Sequence, residues 1–341
     1  MTRALAIRLD ALGDVLMTTP ALHALRSNVD HLTLLTSPAG AAIAELIPDV
    51  DAVIAYEAPW MKAGVPHSAA VDHDLIQQLT TQQFDIAVIF TVFSQTPFPA
   101  AMLAYLAGIP RIAAHVRERA YKLVSDAVAE TEPERGIRHE AQRQLDLVAS
   151  LGWRAVDTRL RIAVPQIARG RIAELAPPGR WLAVAPGASA PSRRYPPEKF
   201  GAALRLLAAE GWDFLVTGSA EEAALVDAVI AAAGRGRSLA GQLSLAELAA
   251  LIEAAPVLIA NNSGPAHLAA AVGTPVVDLY ALTNPQHTPW RVPNRVLWHD
   301  VACRWCYASV CKTGHHLCLE GVPPEDVAAA ARDLALARLA A

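Results

Sequence analysis

Short apolar runs separated by helical patterns recur twice along this chain, and that alternation constrains its fold more than any other feature. In the first half, residues 4–9, 32–36, 52–56 and 85–90 read as buried strands. Helices near 15–26, 71–81 and 99–106 lie between them, and 139–151 reads as a further amphipathic helix. The rhythm restarts after a polar, proline- and glycine-containing stretch, 165–180, which reads as a linker. Strands are then expected at 181–185, 213–217, 257–261 and 275–280, with helices near 197–209, 221–233, 245–254 and 265–272. Strands apolar on both faces and separated by helices predict parallel sheets covered on both sides. The expected fold is therefore α/β, with two doubly wound Rossmann-like domains over residues 1–165 and 166–325. Ligands of such folds bind at the carboxyl ends of the strands, which places the expected site in a cleft between the two sheets. The alanine-rich end, 326–341, reads as a helix free to pack back on the first domain.

Composition narrows the function. The 341 residues suit two domains at about 150 residues each. Hydrophobic residues make up 53% and charged residues 18%, yet no run reaches the roughly 18 apolar residues of a spanning helix. Glu247 and Glu253 interrupt one rich segment; His267, Pro275 and Asp278 interrupt another. Arg3, Arg8 and Asp10 break the apolar start that a signal peptide would need, so a cytoplasmic location is expected, with peripheral membrane contact left open. A net charge of −4 argues against general nucleic-acid binding. The basic stretch Arg111, Arg117, Arg119, Lys122, Arg135, Arg138 and Arg143 is interleaved with acids and reads as a solvated surface.

Four strand-to-helix turns carry the candidate chemistry. In the first, Gly13 lets backbone approach a ligand, and Asp14 is either a first-turn carboxylate favouring the helix dipole or a general base. Spacing alone favours the capping role. In the second, Pro186-Gly187-Ala188 leads to Arg193-Arg194, whose guanidinium forks match a diphosphate or, equally, pair with surface carboxylates in a solvated loop. In the third, Glu221 and Glu222 follow Thr217-Gly218-Ser219; a carboxylate there can accept from ribose hydroxyls, although on the residues alone a plain helix start enriched in acids explains it better. The fourth, Asn261-Asn262-Ser263-Gly264-Pro265-Ala266-His267, ends a buried strand and opens a helix whose N–H groups form an anion site. The Rossmann Gly-x-Gly-x-x-Gly, the Walker lysine motif and the Gly-x-Ser-x-Gly elbow are all missing, which points to group transfer from a nucleotide-activated donor.

These turns resemble glycosyltransferase family 9, the bacterial lipopolysaccharide heptosyltransferases. The resemblance runs from Arg8, Gly13-Asp14-Val15 and Thr19-Pro20 through Leu106-Ala107-Gly108-Ile109-Pro110 and His139-Glu140 to the second-half motifs, about residues 3 to 325. It implies a GT-B fold, with a glycolipid acceptor on the first domain and a nucleotide-sugar, typically ADP-heptose, on the second. It also implies inversion by direct displacement, with no cofactor for catalysis. Asp14 then becomes the base that takes the acceptor proton. Arg193 stands where the family usually has lysine facing the diphosphate, Glu222 aligns with the ribose-contacting acid, and Ser263, Gly264 and His267 align with the diphosphate site. Asn262 replaces an aspartate common in relatives, which removes a charge from the expected donor contacts. The implied reaction is heptosyl transfer to a lipopolysaccharide inner-core acceptor at the inner membrane's cytoplasmic face. A protein or other glycan acceptor, or nucleotide-sugar binding without catalysis, are the alternatives.

All four cysteines, Cys303, Cys306, Cys311 and Cys318, fall in one short segment with His315 and His316. A structural zinc or iron ion held by four thiolates is one reading. A loop of reduced cysteines is the other, and in a reducing compartment either outranks structural disulfides.

Overall fold

The apolar runs are too short for helices and have no polar face to turn toward water, so each is buried between helical layers. The computed structural model describes residues 1–61 and 67–340. These form two units, Met1–Arg161 and Ile162–Ala341.

The first unit runs β1 (Arg3–Arg8), α1 (Leu12–Arg26), β2 (His31–Thr36), α2 (Pro38–Ala44), β3 (Ala52–Ala55), α3 (Ala69–Gln82), β4 (Ile86–Ile89), α4 (Phe98–Leu106), β5 (Arg111–Val116), β6 (Asp126–Ala129) and α5 (Glu140–Ser150). Its sheet has the order β3-β2-β1-β4-β5-β6, and every pair is parallel. The second unit runs α6 (Gln166–Leu175), β7 (Trp181–Ala185), α7 (Pro197–Ala209), β8 (Asp213–Val216), α8 (Ala223–Ala233), β9 (Arg237–Ser238), α9 (Leu245–Ala254), β10 (Leu258–Asn261), α10 (Gly264–Val272), β11 (Val276–Leu279), β12 (Asn294–Leu297), α11 (Leu317–Glu320) and α12 (Pro324–Ala340). Its order, β12-β11-β10-β7-β8-β9, is the same winding, again all parallel. Leu5, Ile7, Ile89 and Ile112 anchor the first core; Val184, Phe214, Ile259 and Val277 anchor the second.

Three expectations change. The stretch read as a linker is mostly helix: α6 buries Ala168 and Ile172 and packs on α9. Proline and glycine at its edges mark the helix ends, not an extended tether. The C-terminal helix belongs to the second unit. Val327, Ala331 and Leu334 of α12 enter the second core against α7, and residue 341 lies outside the described residues. Finally, the basic stretch is not all solvated surface, because Arg143 is buried against Glu130 while Arg138 pairs with Glu132 and Asp146. A buried guanidinium needs such partners, which is why the interleaved acids are there. No helix among the described residues is long and apolar enough to cross a membrane.

Candidate active site

Winding order fixes where ligands can sit. In the first sheet the chain builds outward one way from β1 and the other way from β4; in the second it does so from β7 and β10. The loops after those paired strands diverge, and the crevice left at such a reversal point is where open α/β sheets bind ligands.

At the first unit's reversal point, one fully buried guanidinium gathers three carboxylates. Arg8, the last residue of β1, has its Nη1 2.9 Å from Glu140 Oε1, its Nη2 3.1 Å from Asp14 Oδ1 and its Nε 3.0 Å from Asp10 Oδ2. Asp14 lies in the first turn of α1, but the N-cap is Ala11. Its carboxylate is turned onto Arg8 and stays partly exposed. Glu140 is buried at the start of α5 and also accepts from Gln144. Burial pushes the Asp10 and Glu140 carboxyls above their ordinary values, even though Arg8 pulls both down. The arrangement holds a carboxylate, Asp14, in one orientation at the sheet edge, which is what proton abstraction from a hydroxyl requires.

The Thr19-Pro20 motif serves the helix that carries Asp14. Pro20 has no N–H to give the Leu16 carbonyl, and the Thr19 hydroxyl donates to that carbonyl instead at 2.7 Å. Gly13 is helical and lies beside Asp14 in this turn.

The second unit's reversal point is built differently. Asn261, the last residue of β10, is fully buried and holds the β7 loop at two places: its Nδ2 donates to the Pro186 carbonyl at 2.6 Å, and its Oδ1 accepts from Tyr195 N at 3.0 Å. Ser263 is the N-cap of α10, but its hydroxyl turns toward the Gly187 carbonyl at 3.3 Å, so it does not cap the helix. Pro265 has no N–H and Ala266 N donates to the Ser263 carbonyl at 3.0 Å, so what this helix start can offer an anion is the Gly264 N–H and the positive end of the helix dipole. His267 is buried in the same turn, edge-on to His287 with ring centroids 6.4 Å apart.

Gly187 sits directly under the Glu222 carboxylate. A Cβ at position 187 would stand 2.2 Å from Glu222 Oε1, so any larger residue there displaces the Glu222 carboxylate. Glu222 also accepts from Ser219 N at 3.0 Å, closing a capping box, so it both starts its helix and faces the β7 loop. The two arginines divide their labour. Arg194 Nε braces the loop through the Ala188 carbonyl at 2.7 Å. Half-buried Arg193 reaches Asn284 Oδ1 at 3.3 Å, and its buried Nε has no hydrogen-bond partner among the described residues.

Asn262, expected among the donor contacts, faces inward instead. Its Nδ2 donates to the His287 carbonyl at 2.7 Å and to Asp278 Oδ2 at 3.2 Å. Burial pushes the Asp278 carboxyl up to about 8, so at neutral pH it is mostly uncharged and Asn262 needs no charge to meet it.

The cysteine segment does not form the expected cage. Among the described residues no three His, Cys, Asp or Glu side chains converge on a point that could hold an ion. All four thiols are free and partly exposed; Cys303 Sγ lies 3.7 Å from His315 Nε2, and Cys311 Sγ lies 3.4 Å from the Thr313 hydroxyl. The loop instead follows backbone anchors, with Trp305 N and Tyr307 N donating to the Leu282 and Thr283 carbonyls.

The profile of glycosyltransferase family 9 (heptosyltransferase) matches residues 73–317. The chain belongs to this family. It is 26% identical over 343 residues to lipopolysaccharide heptosyltransferase 3 of Escherichia coli, covering 94% of this chain and 95% of that one. Its structure is similar to a family 9 glycosyltransferase from Veillonella parvula, with a TM-score of 0.82, 23% identity and 98% of each chain covered. It is also similar to E. coli ADP-heptose lps heptosyltransferase II, with a TM-score of 0.77, 20% identity and coverage of 99% and 100%. The two-unit architecture is the GT-B fold, and the chain is a glycosyltransferase.

Within this glycosyltransferase, sequence reading missed the residues that hold the candidates in place. In the sequence Arg8 reads only as a break in the apolar start and a position of the first motif, and Asn261, Asn284 and His287 carry no assigned role. A usable signal existed for two of them: Arg8 and Asn261 are polar residues closing otherwise apolar strands, and a buried polar group implies a committed partner.

Proposed function

We propose that this chain transfers heptose from ADP-heptose to a lipopolysaccharide inner-core acceptor by direct displacement, with Asp14 as base. The observation that carries this reading is the Arg8-anchored Asp14 carboxylate at one reversal point in a family 9 chain. In the step proposed, the acceptor oxygen attacks the anomeric carbon, the bond from that carbon to the diphosphate oxygen breaks, Asp14 takes the hydroxyl proton and ADP leaves, inverting the centre. Arg193, Gly264, Ser263 and His267 receive the diphosphate at the start of α10, where the charge develops on the leaving group. Glu222 faces the ribose, Gly13 lets backbone approach the donor, and Asn262 steadies the β10 turn from behind. The name of the E. coli relative supports the glycolipid acceptor. We place the enzyme in the cytoplasm, meeting that acceptor at the inner membrane by peripheral contact.

Two measurements test this. Calorimetric titration with ADP, UDP and GDP should give binding for ADP; a preference for UDP or GDP removes the donor assignment. Asp14→Asn should lower transfer to delipidated inner-core oligosaccharide by about 10²–10⁴-fold while ADP affinity holds. Unchanged turnover would rule Asp14 out as the base.

A further inference from the structure

The first unit's crevice opens into a cavity of about 460 Å³. That volume is within the range of about 300–1,000 Å³ that small-molecule sites occupy. Asp10, Trp60, Phe90, Gln95, Thr96 and Pro99 are among its lining residues. Ile7, Leu9 and Asp10 come from the end of β1, while Ile89, Phe90 and Thr91 come from the end of β4, so the cavity sits at the reversal point itself.

Two walls describe the guest. One is apolar and aromatic: Trp60 is half-buried beside Tyr56, with ring centroids 5.9 Å apart, and Phe90 and Pro99 continue the surface. A wall of this kind suits the C–H face of a sugar ring. The other is a fixed hydrogen-bonding pair. Gln95 Oε1 accepts from Val92 N at 3.1 Å, and Gln95 Nε2 donates to Asp10 Oδ1 at 2.6 Å. With the amide oriented, the carboxylate offers its remaining lone pairs to hydroxyl donors and the amide its second N–H to a hydroxyl acceptor.

Charge decides which sugar fits. At the polar end of the cavity Arg8 faces three carboxylates, Asp10, Asp14 and Glu140, while Arg143, which also attracts Glu140, is committed to Glu130 and the Thr91 carbonyl. None of the lining residues among those described is cationic. An acidic sugar or a phosphate entering here would meet excess negative charge without a partner, and in a partly desolvated crevice that repulsion is strong.

Resting on the reading that the first unit binds the acceptor, we propose that the sugar seated in this cavity is a neutral ring, held by Trp60 on its apolar face and by Asp10 and Gln95 through hydroxyls other than the reacting one. Asp10 and Gln95 are thereby specificity residues that reject acidic sugars.

Ligand-detected NMR at neutral pH tests this with methyl α-mannopyranoside and its uronic acid counterpart, two rings differing in one carboxylate. The neutral glycoside should bind at least about tenfold more tightly. Trp60→Ala should weaken it by about tenfold, and Asp10→Asn should shrink the gap between the two probes to about threefold or less. Gln95→Leu, which leaves the Arg8 cluster intact, gives a second reading if Asp10→Asn does not fold, and should weaken the neutral glycoside. Equal binding of both probes, preference for the uronate, binding of neither, or indifference to Trp60→Ala each overturns the proposal. ADP titrated into the same samples reads the second unit separately. Normal ADP binding with no sugar discrimination defeats this inference alone, whereas failure to bind ADP defeats the donor reading.

Discussion

The two sheets share one winding order, yet their reversal points carry opposite chemistry. In the first unit, strand β1 ends in an arginine surrounded by Asp10, Asp14 and Glu140, so the crevice is rich in acceptors of protons and hydroxyl hydrogens. In the second, strand β10 ends in a neutral asparagine that fixes a glycine loop, an unpaired guanidinium N–H and an open helix start, so the crevice is rich in donors. The comparison teaches that this fold supplies a location, while the residues closing two strands decide which polar groups gather there.

The largest way to break the contrast is to remove the organiser of the acidic crevice. Arg8→Gln leaves Glu140 buried without its cation and two further carboxylates facing it, and should cost about 3–5 kcal/mol of stability in urea unfolding. The loss should shrink at acid pH, where the carboxyls carry their protons. A midpoint equal to wild type would show that the cluster does not hold the first unit together.

Arg193→Ala is the corresponding change in the donor-rich crevice. Losing one charge-assisted partner should weaken ADP binding by about 10–100-fold, roughly 1.5–3 kcal/mol, and leave saccharide binding in the first unit unchanged. Calorimetry with each ligand separates the two, and an equal effect on both would erase the division between the units.

A further test concerns Asp278, a carboxyl buried beneath the second crevice. Asp278 binds its proton more tightly folded, at about 8 against an ordinary 3.8. Its contribution to stability is therefore full below about pH 4 and is lost as pH rises through 8, by up to about 1.4 kcal/mol per pH unit. Asp278→Asn should flatten that slope relative to wild type in unfolding curves from pH 4 to 8. Parallel curves would mean the carboxyl is ionised when folded and opposes the anion site.

Much of the fold is legible in the sequence because it is written in local pattern. Apolar runs announce β1, β2, β4, β7, β10 and β11, and the turn residues after β1, β7 and β10 mark the candidate site. Other signals mislead for local reasons. Short strands such as β6 and β9, with half-exposed or exposed residues, lack a continuous apolar run. The proline and glycine around α6 mimic a linker. Motif matches also mix roles: Gly108 follows α4 with a φ of +76°, stopping that helix, whereas Glu140 in His139-Glu140 reaches the Arg8 cluster. A shared motif does not say which of these it is.

The sequence by itself determined two parallel sheets and the turns that can meet a ligand, because strand burial and helix starts depend on neighbours a few residues apart. Only the tertiary structure decided what charge each crevice carries. Arg8 and Glu140 are 132 residues apart, and Asn261 lies 75 residues from Pro186 and 66 from Tyr195. Burial leaves such polar groups no water to fall back on, so their partners must come from wherever the fold brings them.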